Sequence, residues 1–351
     1  MNPTWLNQAC LDLNNEAMSQ ATEHQTQLTK PPGALGQLEN IAITLAAMQG
    51  KALPEVNNVQ VTVFAADHGI ANQGVSAFPQ AVTAEMIKNF SRGGAAINVL
   101  SAINNASLDV VNLGTAFPAD NLKGVTDKII AAGTNDFSQR SAMTSDQCLA
   151  AMSVGAELID NAVSDNNDLF IAGEMGIANT TSATAIACAL LNKKAEELAG
   201  PGTGLDKEGI SRKAEIINQA LALHNVSQDD ALLILQTFGG FEIAAIAGSY
   251  IRCAQKGLAV LVDGFISSIA ALIASRIKPG SENWFLFAHA SAEPGHQSIM
   301  QALNANPILD LGMRLGEGSG AAVAIPIIKS ACALHAQMAT FADAGVSEKS
   351  A

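Results

Sequence analysis

Short apolar runs alternate along the chain with longer segments in which apolar residues recur every three or four positions. Five of the short runs are rich in β-branched or aromatic residues and have the length of buried strands. They cover residues 61–66, 108–113, 169–172, 258–262 and 284–289. The alanine-rich segments between them have helical spacing, and the clearest are residues 83–102, 145–160, 177–191, 207–223 and 241–254. This alternation predicts an α/β fold with a mostly parallel sheet that is covered by helices on both faces.

Helical patterns also precede and follow this alternation. Leucine and isoleucine recur at helical spacing between positions 28 and 45, with a break at Pro31-Pro32-Gly33. The pattern from Gly318 to about Ala344 predicts one long helix that Pro326 should kink. We therefore expect a large α/β domain of residues 58–320, and a small helical domain in which residues 1–57 pack against residues 321–351.

The composition narrows the class of protein. With 48% hydrophobic residues, the chain is too apolar for intrinsic disorder. Its formal charge of −13 argues against general binding to nucleic acids or to anionic membranes, which require basic patches. A small anionic substrate remains compatible with this charge, because a few local donors are enough to bind it.

Further features favour the cytoplasm. The N-terminus lacks the basic start and the apolar run of a signal peptide. The longest uncharged stretch, residues 175–192, contains two Asn, three Thr and one Ser, so it is better explained as a buried helix than as a membrane span. The five cysteines are widely spaced and form no C-x-x-C pair, which is typical of neither a disulfide framework nor a zinc site.

Polar and glycine-rich clusters follow four of the predicted strands. They are Ala66-Asp67-His68-Gly69, Gly173-Glu174-Met175-Gly176, Asp263-Gly264-Phe265 and His289-Ala290-Ser291-Ala292-Glu293. Ligands of parallel sheets bind beyond the carboxyl ends of the strands, where glycine allows close approach and helix N-termini favour phosphate. Each cluster alone also fits a structural turn, but four clusters at one edge of a sheet predict a binding site.

Two glycine-rich segments each allow two interpretations. Gly200-Pro201-Gly202-Thr203-Gly204 resembles a phosphate-binding loop that lacks the Walker sequence, with Lys213 as a nearby charge, or it is a flexible connector with a solvated lysine. The segment 316–321 matches G-x-G-x-x-A, but too little chain follows it for a dinucleotide-binding unit, which disfavours a NAD dehydrogenase. Glu317 is then either a carboxylate presented by a glycine turn or a helix-start glutamate stabilised by the helix dipole.

The histidines indicate no metal site. His68, His289 and His296 form no H-x-x-x-H or H-E-x-x-H pattern, and the chain has no G-x-S-x-G nucleophile turn. The Asp67-His68 pair either forms a structural hydrogen bond or lines the site, with a slight preference for the structural role.

Several of these segments together resemble one known family. The matching segments run in order along most of the chain, and they are residues 30–36 (KPPGALG), 66–69 (ADHG), 173–181 (GEMGIANTT), 239–242 (GGFE), 261–265 (LVDGF), 291–293 (SAE) and 313–321 (MRLGEGSGA). The chain thus resembles the nicotinate-nucleotide–dimethylbenzimidazole phosphoribosyltransferase (CobT) family. Segments 173–181 and 313–321 are the most specific.

The resemblance implies a Rossmann-like sheet domain, a small lobe of N- and C-terminal helices, and a homodimer. It also implies transfer of 5-phosphoribose from nicotinate mononucleotide to an aromatic base, with inversion at the anomeric carbon, in assembly of the lower-ligand nucleotide of cobalamin. Nicotinate leaves from a pyridinium, which is already a good leaving group. The mechanism therefore requires no strong general acid, no metal and no cofactor.

The resemblance assigns roles to residues of this chain. Glu317 is the expected catalytic base, and Glu174 is a second catalytic carboxylate that positions substrate or stabilises charge on the ribose. The expected substrate-binding residues are Gly176, Gly202, Gly204, Lys213 and Ser291 at the phosphate and Asp263 and Gly264 at the ribose. Phe78, Met86 and Leu315 are also expected to bind substrate.

The expected base pocket departs from the family pattern. Phe78 and Met86 stand where the best-known members have polar residues, although both are equally compatible with an ordinary core. An apolar pocket suits dimethylbenzimidazole or a phenolic base better than adenine, so the sequence does not decide which base is the acceptor. The alternatives are a transferase with the same donor and a phenolic or purine acceptor, and a non-catalytic nucleotide-binding protein. The presence of Glu317 and Glu174 disfavours the non-catalytic protein.

Overall fold

The computed structural model describes residues 3–347, and its centre is a six-stranded sheet. The strands are β1 (Val59–Ala66), β2 (Ser107–Gly114), β3 (Val125–Asp127), β4 (Leu169–Met175), β5 (Ala259–Val262) and β6 (Phe285–Phe287). Their order is β3-β2-β1-β4-β5-β6, and each neighbouring pair is parallel. This is the order of a doubly wound Rossmann-like sheet, in which the direction of winding reverses between β1 and β4. The predicted fold class is therefore confirmed.

The helices of the described residues cover both faces of the sheet, and some of them form parts of the two terminal segments. They are α1 (Asn15–Gln27), α2 (Gln37–Gln49), α3 (Ala81–Arg92), α4 (Ala96–Asn104), α5 (Ser145–Ser164), α6 (Asn179–Leu191), α7 (Ala195–Leu198), α8 (Lys207–His224), α9 (Ala231–Phe238), α10 (Phe241–Lys256), α11 (Phe265–Ile277), α12 (His296–Ala302), α13 (Ser319–Gln337) and α14 (Phe341–Ala344).

The five predicted strands correspond to β1, β2, β4, β5 and β6, whereas β3 was not predicted. All eight residues of β1 are buried, so both of its faces are apolar and the run is conspicuous in the sequence. In contrast, β3 has three half-buried or exposed residues at the edge of the sheet and leaves no apolar run. The uncharged stretch at residues 175–192 forms the end of β4 and the largely buried helix α6, as expected.

The single helix predicted for residues 83–102 is wrong, because the chain forms α3 and α4 there. Gly93 ends α3 in the left-handed conformation with φ 79°, which glycine adopts without the steric cost that a Cβ atom brings. Gly94 and the extended Ala95 separate the two helices, and α4 begins at Ala96. This break gives α4 a free N-terminus close to the functional residues described below.

The C-terminal helix also differs from its prediction. Instead of one helix to about Ala344, α13 ends before Met338, whose extended backbone separates it from α14. Pro326 lies inside α13 and has no N–H to donate to the carbonyl of Ala322. The side-chain amide of Asn104 on α4 donates to that carbonyl at 3.0 Å, so the proline leaves no buried acceptor unpaired. The kink expected at Pro326 stays a prediction.

The N- and C-terminal segments pack against each other. Leu28 and Thr340 form an antiparallel bridge, and the buried ring of His335 contacts the Gln25 side chain at 2.7 Å and the Ala52 carbonyl at 2.9 Å. Helix α13 is long and apolar enough to cross a membrane by length and composition, but more than half of its most apolar stretch is buried inside the structure. It is therefore explained as a core helix. The domain boundaries at residues 57/58 and 320/321 stay a prediction.

Candidate active site

A cavity of about 300 Å³ opens beyond the carboxyl ends of β4, β5 and β6. Eight of the predicted site residues line it, and they are Phe78, Glu174, Gly176, Gly202, Asp263, Gly264, Ser291 and Leu315. The other four predicted residues, Met86, Gly204, Lys213 and Glu317, lie outside its lining. Three of the four strand-end clusters therefore meet at the cavity, whereas the Asp67-His68 cluster lies beneath it.

Glu174, the last but one residue of β4, places a buried carboxylate in the cavity wall. The side-chain amide of Asn179, in the first turn of α6, donates a hydrogen bond to it. Burial raises the pKa of the Glu174 carboxyl well above its usual range, and the neighbouring carboxylates, Asp263 first among them, raise it further. A cationic ligand entering the cavity would lower that pKa and favour the ionised form.

The ring of His68 supports the cavity from below. Its Nε2 lies 2.7 Å from the Glu242 carboxylate and its Nδ1 lies 2.9 Å from the Ser182 hydroxyl, and all three residues are fully buried. Since no solvent or ligand reaches this ring, the His68 contacts fix α6 and α10 relative to β1.

Asp67 supports the same turn by a second route. Its carboxylate accepts a hydrogen bond from the Ala116 N–H at 2.8 Å. Burial raises the pKa of this carboxyl, and the neighbouring Thr83 hydroxyl lowers it. The Thr83 oxygen in turn accepts the N–H of Ile177 at 3.0 Å, in the turn that joins β4 to α6. The preference for a structural role of the Asp67-His68 pair agrees with these contacts.

Lys213 is buried behind the glycine-rich segment 200–204 and joins it to α6. Its Nζ donates to the Thr180 hydroxyl at 2.9 Å and to the Gly200 carbonyl at 3.3 Å. Burial lowers the pKa of the ammonium to about 8, and the nearby Glu293 carboxylate partly opposes this shift. The lysine is thus fully buried, which contradicts the alternative of a flexible connector with a solvated lysine.

Several cavity residues escaped the sequence analysis, and Arg314 and Glu293 are the most informative. The Arg314 guanidinium lies in the lining and donates to the Gly202 carbonyl at 3.1 Å. Burial raises the pKa of the Glu293 carboxyl, whereas Lys213 and Arg314 lower it. Both residues stood in recognised motifs, Glu293 in segment 291–293 and Arg314 in segment 313–321, and both were overlooked there. Arg314 in the lining and Lys213 behind it thus provide two cationic side chains beside the Glu293 carboxylate.

The Asp263 carboxylate connects the end of β5 to the beginning of α13. Its Oδ1 accepts the N–H of Ala321 at 2.7 Å. Burial raises the pKa of this carboxyl, and the His289 ring and three backbone N–H groups lower it. His289 also lines the cavity, and its ring packs so closely on Gly320 that a Cβ atom there would lie 2.0 Å from the ring.

Glu317 lies in a tight turn between Gly316 and Gly318, and all three residues have positive φ, with 64° at Glu317 itself. The turn touches the backbone of β4, because a Cβ atom on Gly173 would lie 2.2 Å from the Glu317 carbonyl oxygen. Its carboxylate accepts the N–H of Ile97 at 3.2 Å, at the N-terminus of α4. Burial raises the pKa of this carboxyl, and the N–H groups of α4 lower it. The carboxylate is therefore held by the dipole of α4, not by that of the helix that Glu317 precedes.

An apolar rim borders the cavity mouth. Phe78 is 52% exposed and Leu315 is 60% exposed, and both lie in the lining. The loop of Phe78 is anchored to the glycine-rich segment, because the Ser76 and Thr203 hydroxyls lie 3.0 Å apart. Met86 is half-buried on α3, outside the lining. This rim can contact the face of a flat aromatic ring.

Comparisons with known proteins match the whole chain. A family model described as Phosphoribosyltransferase matches residues 10–346. The chain is 53% identical over 351 residues to the nicotinate-nucleotide–dimethylbenzimidazole phosphoribosyltransferase of Pseudomonas aeruginosa, with 100% of both chains covered. It is 53% identical over 349 residues to the protein of the same name from Pseudomonas putida, with 99% of each covered. The crystal structure of the protein of that name from Thermus thermophilus is 39% identical, with 96% of this chain and 100% of that chain covered and a TM-score of 0.90.

We predict that a phosphate group binds near Lys213, and that its binding weakens as the Lys213 ammonium loses its proton. Since its pKa is about 8, most of the charge is lost between pH 7 and pH 9.5. A phosphate monoester such as ribose 5-phosphate stays a dianion over this range. We expect its dissociation constant, measured by calorimetry, to rise about tenfold, which corresponds to about 1.4 kcal/mol. The Lys213→Arg variant keeps its charge and should show little pH dependence, whereas a constant affinity in the unsubstituted protein would contradict the role of Lys213.

Proposed function

The chain belongs to the nicotinate-nucleotide–dimethylbenzimidazole phosphoribosyltransferase family, and from this premise we propose that it transfers 5-phosphoribose from nicotinate mononucleotide to 5,6-dimethylbenzimidazole. The products are nicotinate and α-ribazole 5′-phosphate, which serves in assembly of the cobalamin nucleotide loop. The observation that carries the proposal is the cavity itself, whose lining contains Glu174, Asp263 and Arg314, with Lys213 buried behind it.

The donor fits this distribution of charge. Nicotinate mononucleotide carries a phosphate at one end and a cationic pyridinium ring at the other. The phosphate is bound at Gly202, Ser291 and Arg314, with Lys213 behind them, and Gly176 presents the beginning of the β4–α6 turn. The pyridinium and the anomeric carbon then lie beside Glu174 and Asp263, which stabilise the cationic ring.

The transfer exchanges one bond at the anomeric carbon for another. The bond to the nicotinate ring nitrogen breaks, and its electron pair stays on that nitrogen. Positive charge develops on the ribose, where a preorganised carboxylate such as Glu174 lowers the energy of the transition state. The unprotonated nitrogen of dimethylbenzimidazole attacks from the opposite face, which inverts the anomeric centre.

Glu317 acts as the base that removes the proton from the other ring nitrogen. Without that step the new riboside would carry a positive charge on its benzimidazole ring. Glu317 follows Gly316, which lines the cavity, and the residue as a whole is 6% exposed. The apolar rim of Phe78 and Leu315 supports a methylated aromatic acceptor better than adenine, which would leave several polar groups without partners there.

An end-point assay with a panel of bases tests the function. Nicotinate mononucleotide is incubated with dimethylbenzimidazole, benzimidazole, adenine or p-cresol, and chromatography follows free nicotinate and new riboside phosphates. We expect nicotinate release that depends on the base and is fastest with dimethylbenzimidazole. Faster release with p-cresol or adenine would assign a different acceptor, and no release with any base would favour a non-catalytic nucleotide-binding protein.

Removing the proposed base should stop turnover and leave donor binding intact. Glu317→Gln keeps an oxygen that accepts the Ile97 N–H, so the turn should keep its structure. We expect turnover to fall at least about 100-fold, as is usual for loss of a general base, with an unchanged dissociation constant for nicotinate mononucleotide. The matched control is Glu85→Gln on the exposed face of α3. Near-normal turnover of Glu317→Gln would show that the proton leaves by another route.

We also propose that the chain acts in the cytoplasm as a homodimer that binds no nucleic acid and no membrane. The net charge of −13 supports the absence of general nucleic-acid and anionic-membrane binding. Val99 and Ile103 support the dimer, because they lie one turn apart on α4 and are 54% and 69% exposed. Light scattering should give twice the chain mass of 36.2 kDa, and a monomer mass would exclude the dimer.

A further inference from the structure

The N-terminus of α4 has no capping side chain of its own. A helix leaves its first N–H groups without partners inside the helix, and Ser, Thr, Asp or Asn at the preceding position usually accepts from one of them. In α4 that position is Ala95, which has no side-chain acceptor. The Asn98 side chain bonds back to the N–H of Ala95 at 3.1 Å, and this leaves the N–H groups of Ala96 and Ile97 free for another acceptor.

The acceptor comes from a residue 220 positions further along the chain. Glu317 Oε2 accepts the Ile97 N–H at 3.2 Å, and the neighbouring Ala96 N–H also favours the ionised form of this carboxylate. Glu317 reaches α4 from a left-handed backbone conformation, which costs a non-glycine residue energy. Among the described residues with positive φ, only Glu317 and Ala178 are neither glycine nor asparagine, and Ala178 immediately precedes α6 at the same cavity. These two residues with a strained backbone, Glu317 and Ala178, thus both lie beside the candidate active site.

We propose that the N-terminus of α4 is a positioning device for the catalytic base, in which the N–H groups of Ala96 and Ile97 hold the Glu317 carboxylate ionised and correctly directed for proton transfer. The proposal rests on the proposed function, in which Glu317 is the base. Ala96 and Ile97 act through Glu317 and do not themselves touch the substrate.

The charges around Glu317 explain why such a device is needed. Asp263 at the end of β5 and Glu174 at the end of β4 are the titratable groups that act on it, and both disfavour its ionised form. Helix α4 carries no charged residue. Burial and Asp263 raise the pKa of Glu317, and the two N–H groups are what lower it. The positive end of a helix dipole adds to these hydrogen bonds.

Ala96→Pro removes one of the two donors with little other change. Ala96 is the first residue of α4, where helices accept proline because the N–H there has no partner within the helix. The residue before a proline must be extended, and Ala95 already has φ −85° and ψ 163°. Position 96 is half-exposed, which leaves space for the ring.

We expect Ala96→Pro to move the acidic limb of the pH profile of kcat/KM upward by about half a unit to one unit. The sign follows from the carboxylate, because a base that has lost a hydrogen-bond donor takes up its proton at higher pH. Well above that limb the base is ionised in both proteins, so their rates should agree. A purely structural defect would instead lower the rate by the same factor at every pH.

A second substitution and a control accompany it. Asn98→Asp adds a carboxylate to the first turn of α4 and keeps an acceptor for the Ala95 N–H, so it should move the limb in the same direction. Ser145→Pro places the same ring at the exposed first residue of α5, after a residue with φ −74° and ψ 162°, and it should leave the limb unchanged.

A readout independent of activity separates this inference from the proposed function. Carbon-13 NMR of glutamate-labelled protein gives the pKa of Glu317, with Glu317→Gln identifying its signal. An upward shift of that pKa in Ala96→Pro and Asn98→Asp supports the device even if no base is found to react. An unchanged pKa and an unchanged acidic limb in both variants would overturn it, and so would an equal loss of rate at every pH.

Discussion

A buried carboxylate at the end of β5 holds the beginning of α13, and the geometry of the site depends on that contact. Asp263 accepts the N–H of Ala321, which fixes α13 at the carboxyl edge of the sheet. The turn that precedes α13 is thereby pressed onto the backbone of β4, with Glu317 directed to the N-terminus of α4. Asp263 therefore both lines the cavity and connects the sheet to α13.

The site groups carboxylates and cationic side chains around one cavity. Glu174 and Asp263 are buried at the sheet edge and share an environment that opposes their ionisation. Lys213 and Arg314 donate to carbonyls of the glycine-rich segment, and the Glu293 carboxylate is close to both. A ligand that carries a cationic ring and a phosphate would complement both kinds of group, and its ring would relieve the repulsion among the carboxylates.

The parts of the structure that could be predicted are those with a local signal. The buried strands and the clusters after them were visible because burial on both faces requires continuous apolar runs. In contrast, β3 is too short and too exposed to leave one. The break between α3 and α4 did have a local signal, the Gly93-Gly94 pair, but the helical spacing on both sides of it favoured a single helix. The burial of Lys213 and the contact of Glu317 with α4 depend on segments far apart in sequence. No spacing rule within one segment encodes such contacts.

The closeness of the backbones at the site affects how sequence variants are interpreted. Gly173 and Gly320 carry no functional group, yet a single added carbon at either position would lie 2.2 Å from the Glu317 carbonyl oxygen or 2.0 Å from the His289 ring. A survey that replaces every residue would rank these two glycines beside the carboxylates. Loss of activity at a position would then map the contact surface between α13 and the sheet, and not only the groups that perform the chemistry.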